Sequence, residues 1–174
     1  KQYWDNAKTV IQKVTFVPIN QESSATKRYL AGDIDITESF PKNQYQKLLK
    51  ELPGQVYTPA QLGTYYYAFN TQKEPTADAR VRLALSMTID RRIIAEKVLG
   101  TGEKPAWRLT PDVTAGFKPQ PSAMEQSNQA ELNAQAKTLL QAAGYGPGRP
   151  LNLTLLYNTS ENHLKIAIAV ASMW

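Results

Sequence analysis

The sequence contains no cysteine, which excludes disulfides, thiolate metal sites and cysteine nucleophiles from these 174 residues. Its single histidine, His163, cannot supply the paired imidazoles of a zinc hydrolase. Neither a Gly-x-Ser-x-Gly elbow nor a His-Glu-x-x-His helix is present. No apolar run approaches the roughly 20 residues that a membrane-spanning helix needs, and no signal-peptide pattern opens the chain. An initiator methionine is missing as well. The chain starts at Lys1-Gln2-Tyr3 and stops at Ser172-Met173-Trp174, inside a helical pattern with no Gly, Asn or Pro stop signal, so it reads as an internal piece of a longer protein.

What is present is globular in character. With 42% hydrophobic and 20% charged residues, the composition is neither fibrous nor disordered, and the length suffices for a core. The net charge of +5 raises the question of nucleic acid. However, the basic residues are scattered, the tightest pairs being Lys27-Arg28 and Arg91-Arg92, whereas nucleic-acid binding needs a clustered stripe with interleaved aromatics. A solvated basic surface is the expectation, with no nucleic-acid partner.

Strand and helix patterns alternate along the chain, which predicts an α/β architecture of more than one layer. Val14 to Ile19 reads as a strand, and residues 22–31 as a helix closed by Gly32. A short strand follows at 34–37. Pro41 then opens a helix with Tyr45, Leu48, Leu49 and Leu52 on one face. A short strand near Val56-Tyr57 leads into the stretch 58–63. In the strand Thr64 to Asn70, the two-residue period puts Tyr65, Tyr67 and Phe69 on a core face and Thr64, Tyr66 and Ala68 on a face suited to lining a groove. Two helices follow, one carrying Val81, Ala84, Leu85 and Thr88, the other capped by Asp90 ahead of Ile93, Ile94 and Val98. Residues 100–127 form a long loop, expected to be functional or packed as an excursion. Next come an amphipathic helix with Leu132, Ala136, Leu139, Leu140 and Ala143, stopped at Gly144, and the strand 151–157. The last helix, from about Glu161, is apolar almost all round and is expected to be buried on several sides.

Two local patterns carry no chemistry in this reading. The glycines of 144–148 follow a helix and precede a strand, the reverse of a phosphate-cradling order. Asp33 and Asp35 share a strand face with no third ligand nearby, too little for a metal or an acid–base pair.

Three stretches together resemble the extracellular solute-binding proteins of family five, the peptide- and nickel-receptor group. They are Tyr3-Trp4-Asp5-Asn6 with Ala31-Gly32-Asp33-Ile34-Asp35, then Thr64-Tyr65-Tyr66-Tyr67-Ala68-Phe69-Asn70, then Arg80-Val81-Arg82-Leu83-Ala84-Leu85-Ser86-Met87-Thr88-Ile89-Asp90-Arg91. The resemblance covers the whole chain. It implies an internal fragment of a two-lobed, type II-like periplasmic binding protein with mixed sheets flanked by helices. Residues 1–61 would belong to the first large lobe and 62–174 to the opposite lobe, with a hinge crossing near 58–63. It also implies a non-enzymatic, monomeric receptor without cofactor, located in the periplasm. Such a receptor would hand a short peptide (murein tripeptide or oligopeptide) to an inner-membrane ABC permease.

In that family a matching histidine helps bind the carboxylate of a short peptide, which marks His163 as the leading ligand-binding candidate. Local chemistry agrees: Thr159 or Ser160 can cap the last helix, which puts His163 in a first turn whose backbone N–H groups favour an anion. Asn158, Tyr66 and Thr64 are the further candidates. Two departures from near relatives stand out: Leu99 replaces a lysine, and Gly63 replaces a cysteine that forms half of a disulfide. Both favour a murein-peptide receptor over a broad oligopeptide receptor. The rival reading is an envelope peptidoglycan hydrolase whose catalytic residues lie outside this segment.

Overall fold

A computed structural model describes residues 3–174, which pack as two compact units divided between Phe40 and Pro41.

In the unit up to Phe40, a 3-10 turn (Asn6–Lys8) precedes helix α1, Glu22–Leu30. The end of α1 falls where the sequence puts it. Gly32 takes φ +78°, and the N–H groups of Gly32 and Asp33 donate to the carbonyls of Tyr29 and Arg28. A positive φ suits glycine because no Cβ clashes there, and the two bonds satisfy carbonyls that the helix leaves open. The expected strand at Val14 to Ile19 forms no ladder, and Phe16 within it is 90% exposed.

The unit from Pro41 begins with a 3-10 turn (Lys42–Gln44) leading into α2, Tyr45–Glu51, which buries Leu48. Helix α3 (Ala79–Thr88) and helix α6 (Gln129–Ala142) pack together as the main core, joining Ala84 and Met87 to Leu132 and Ala136. Asp78 caps α3, and Asn128 with Glu131 forms a reciprocal capping box on α6. Arg80 clips the two helices together by pairing with Asp78 (2.6 Å) and donating to the Ala142 carbonyl (2.7 Å). Helix α4 (Arg91–Ile93) continues as a π-helical turn, Ile94–Leu99. It ends at Gly100, where φ is +68° and the N–H reaches the Ala95 carbonyl. Further on, α5 spans Ala123–Gln126 and α7 spans Glu161–Met173.

Asp90 performs the predicted capping, accepting the N–H groups of Arg92 and Ile93, both at 3.0 Å. Asp90→Ala should therefore cost about 1 kcal/mol of stability, read as a lowered denaturant midpoint of the full-length protein, with Asp90→Asn within a few tenths of wild type. An unchanged midpoint for the alanine variant would show that the cap contributes nothing.

Arg91 does what no sequence period announces. Its guanidinium donates to the carbonyls of Ser86, Ile89 and Ala106 and to the Ser86 hydroxyl, and lies 4.7 Å from the Trp107 ring centroid. Burial pulls its pKa down, and four hydrogen bonds offset that desolvation. The loop 100–127 is thereby tied to the end of α3, and Trp107 packs on the core. The expected packed excursion is what the structure contains.

Two expectations are corrected. Helix α7 buries Ile166, Ala167 and Val170, but Ile168 is 62% exposed, so only one side of it is covered among the described residues. Hydrophobicity all round a helix reports how many faces are suited to burial, whereas burial itself needs neighbours. The segments 14–19, 34–37, 56–57, 64–70 and 151–157 carry strand patterns yet pair with nothing among the described residues, where the bridge Gly146–Arg149 stands isolated. A ladder needs a second strand, which a local pattern does not supply. In 151–157 the alternation nevertheless survives: Leu151, Leu153 and Leu155 are half-buried, while Asn152, Thr154 and Leu156 are exposed. Among the described residues no helix is long and apolar enough to cross a membrane.

Candidate ligand-binding site

The site grows from the start of α7. The Ser160 hydroxyl accepts the N–H of His163 at 3.5 Å, which makes Ser160 the N-cap and places His163 in the first turn, as the sequence indicates. Glu161 shares that turn. Its carboxylate already answers the positive end of the helix, so attraction of a further anion rests on His163 itself.

Asn158 sits beside the cap. Its Oδ1 accepts the Ser160 N–H at 3.1 Å and lies 2.7 Å from His163 Nδ1. The first bond is an Asx turn, the local reason an Asn stands two residues before the helix. From the 64–70 segment, the Tyr65 ring packs on the imidazole at 4.7 Å between centroids, and Tyr65 meets Tyr67 edge-on at 5.5 Å. Burial, then the neighbouring Tyr65 phenol, push the Tyr67 pKa well above the ordinary tyrosine value, so its hydroxyl stays neutral.

Of the four residues singled out from sequence, the structure brings His163 and Asn158 together. Thr64 donates its hydroxyl to the Leu109 carbonyl at 2.8 Å, tying the strand-like segment to the long loop. Tyr66 stands apart from the Tyr65–Tyr67 pair and is 65% exposed. Tyr65, expected in a core, is instead 46% exposed and forms one wall of the histidine cluster. The period of two places Tyr65 and Tyr67 on one side correctly, but it does not reveal that the side meets α7. Among the described residues there is no group of three His, Asp or Glu side chains able to hold a metal.

Comparison with known proteins shows the family of the chain. The chain belongs to the bacterial extracellular solute-binding proteins, family 5, whose middle region matches residues 1–174. It is 85% identical over 172 residues to the periplasmic murein peptide-binding protein of Escherichia coli, covering 99% of this chain and 32% of that protein. It is 48% identical over 174 residues to the periplasmic oligopeptide-binding protein of Salmonella typhimurium, with the same coverage. Among solved structures, the murein tripeptide binding protein of Escherichia coli matches with a TM-score of 0.96 at 85% identity, over 99% of this chain and 34% of that one. The unliganded open form of the murein tripeptide binding protein matches at 0.71 and 84% identity, over 99% and 33%. The oligopeptide-binding protein of Haemophilus influenzae, in complex with RPPGFSPFR, matches at 0.91 and 43% identity, over 99% and 34%. The chain thus spans about a third of the length of these relatives. The proteins it resembles are named for what they bind.

Proposed function

We propose that the protein containing this chain is a periplasmic receptor that binds a short peptide, murein tripeptide in particular, and delivers it to an inner-membrane ABC permease without chemically altering it. The observation that carries this reading is the 85% identity to a murein peptide-binding protein along virtually the whole chain. Residues 1–61 belong to one large lobe and 62–174 to the opposite one, with the chain crossing near 58–63. The unequal match to two structures of a murein tripeptide binding protein supports a hinge within this span. The mixed sheets of the family are completed by strands from elsewhere in the protein, which accounts for strand patterns that find no partner among the described residues. In this arrangement the peptide main chain supplies affinity through hydrogen bonds, and His163 reads the terminal carboxylate. The receptor acts as a monomer and needs no cofactor.

Calorimetry of the full-length protein should show saturable binding of murein tripeptide, weaker but saturable binding of tri-alanine, and both peptides recovered intact afterwards. Failure to bind either peptide, or their hydrolysis, would sink the reading.

A further inference from the structure

The amide of Asn158 is pinned from two directions. Its Oδ1 accepts the backbone N–H of Ser160 at 3.1 Å, and that contact settles which end of the amide is oxygen, because an N–H cannot donate to an NH2 group. The same oxygen lies 2.7 Å from Nδ1 of His163. An amide oxygen only accepts, so Nδ1 must carry the proton. Neutral imidazole has one N–H, which leaves Nε2 with a bare lone pair. The Tyr65 ring packs against the imidazole in this orientation, and turning the imidazole over would break the 2.7 Å bond.

A lone pair repels a carboxylate, whereas a protonated Nε2 donates to it. We infer that Asn158 is a positioning residue: by fixing His163 as the Nδ1–H tautomer, it couples capture of a ligand carboxylate at Nε2 to the uptake of one proton from solvent. This rests on the proposed role of His163 as the carboxylate reader. The proton adds to the Nε2 lone pair, no other bond changes, and the resulting imidazolium donates from both nitrogens, one to Asn158 and one to the ligand. The titratable group packed on the ring from another segment is the Tyr65 phenol. On α7 itself, Glu161 and Lys165 lie two residues to either side. A differential measurement separates their contributions, and that of the peptide amino group, from the effect of the ligand carboxylate.

The test titrates full-length protein at pH 8 with tri-alanine and with its C-terminal amide, each in two buffers of different ionisation enthalpy. Because the bare Nε2 must gain a proton before it can donate to the ligand, the free acid should take up about one more proton than the amide. Asn158→Asp, which keeps an acceptor oxygen, should retain that excess. Asn158→Ala frees the tautomer and should reduce it to less than about half. Nitrogen NMR of the His163 side chain, assigned by its loss in His163→Gln, should show Nδ1 protonated in the free protein. Three results would overturn the inference. The first is no excess uptake in wild type while His163→Ala still weakens the free acid, which leaves the carboxylate reading standing and removes the tautomer control. The second is an Nε2–H tautomer in the spectrum. The third is no effect of His163→Ala on either ligand, which removes the reading beneath it.

Discussion

Residues 1–174 in isolation should show no measurable affinity for murein tripeptide or tri-alanine, in contrast to the binding proposed for the full-length protein. The magnitudes decide this. Association costs an estimated 4–15 kcal/mol in lost translational and rotational freedom, whereas one charge-assisted hydrogen bond returns roughly 1.5–3 kcal/mol. The described residues contribute the His163 cluster and the aromatic wall beside it, and a peptide enclosed between two lobes draws most of its contacts from both. A carboxylate meeting this cluster alone falls in the millimolar range or weaker. Equilibrium dialysis against the isolated segment is the simplest check, and micromolar binding would show that a complete site already lies within it.

In the full-length protein, His163→Ala should weaken a peptide with a free C-terminal carboxylate by about tenfold to a hundredfold, the equivalent of losing one charge-assisted hydrogen bond. The same substitution should cost the C-terminal amide much less, because the anion it would have paired is gone. Competition titration of both ligands against wild type and variant separates the possibilities. Equal losses would mean that the imidazole shapes the site by packing on Tyr65 without reading charge. His163→Gln keeps a donor of similar reach but not the charge, and should recover only part of the affinity for the free acid.

The elements that the sequence disclosed best are those whose causes are local. Gly32 and Gly144 end α1 and α6 through positive φ, and Ser160 and Asp90 begin helices with their own side chains. Each of these devices spans only a few residues, so a reader of the sequence has all of its parts. That His163 and Asn158 lie close together was legible for the same reason: five residues apart, they meet across a single helix cap. Tyr65 was not, because its contact with His163 joins positions 98 residues apart in the chain and nothing in a two-residue period encodes where a face will land. Arg91 resists sequence reading for a similar reason. Next to Arg92 it looks like part of a solvated basic surface, yet it works as a buried latch on four acceptors, two of which belong to Ser86. The sheets were legible only as propensity, since their hydrogen bonds join segments that a local pattern does not pair.

The segments that run extended without pairing have a consequence for handling the polypeptide. Proteases grip substrates as extended strands with free backbone groups, a shape that a hydrogen-bonded helix withholds. Phe16, Tyr57 and Leu156 each present a large side chain within such a stretch. Nicking of the isolated polypeptide would therefore concentrate near residues 10–20, 55–62 and 150–159. The α3–α6 pair, clipped by Arg80 and latched by Arg91, would persist as a resistant island long after those connections are cut.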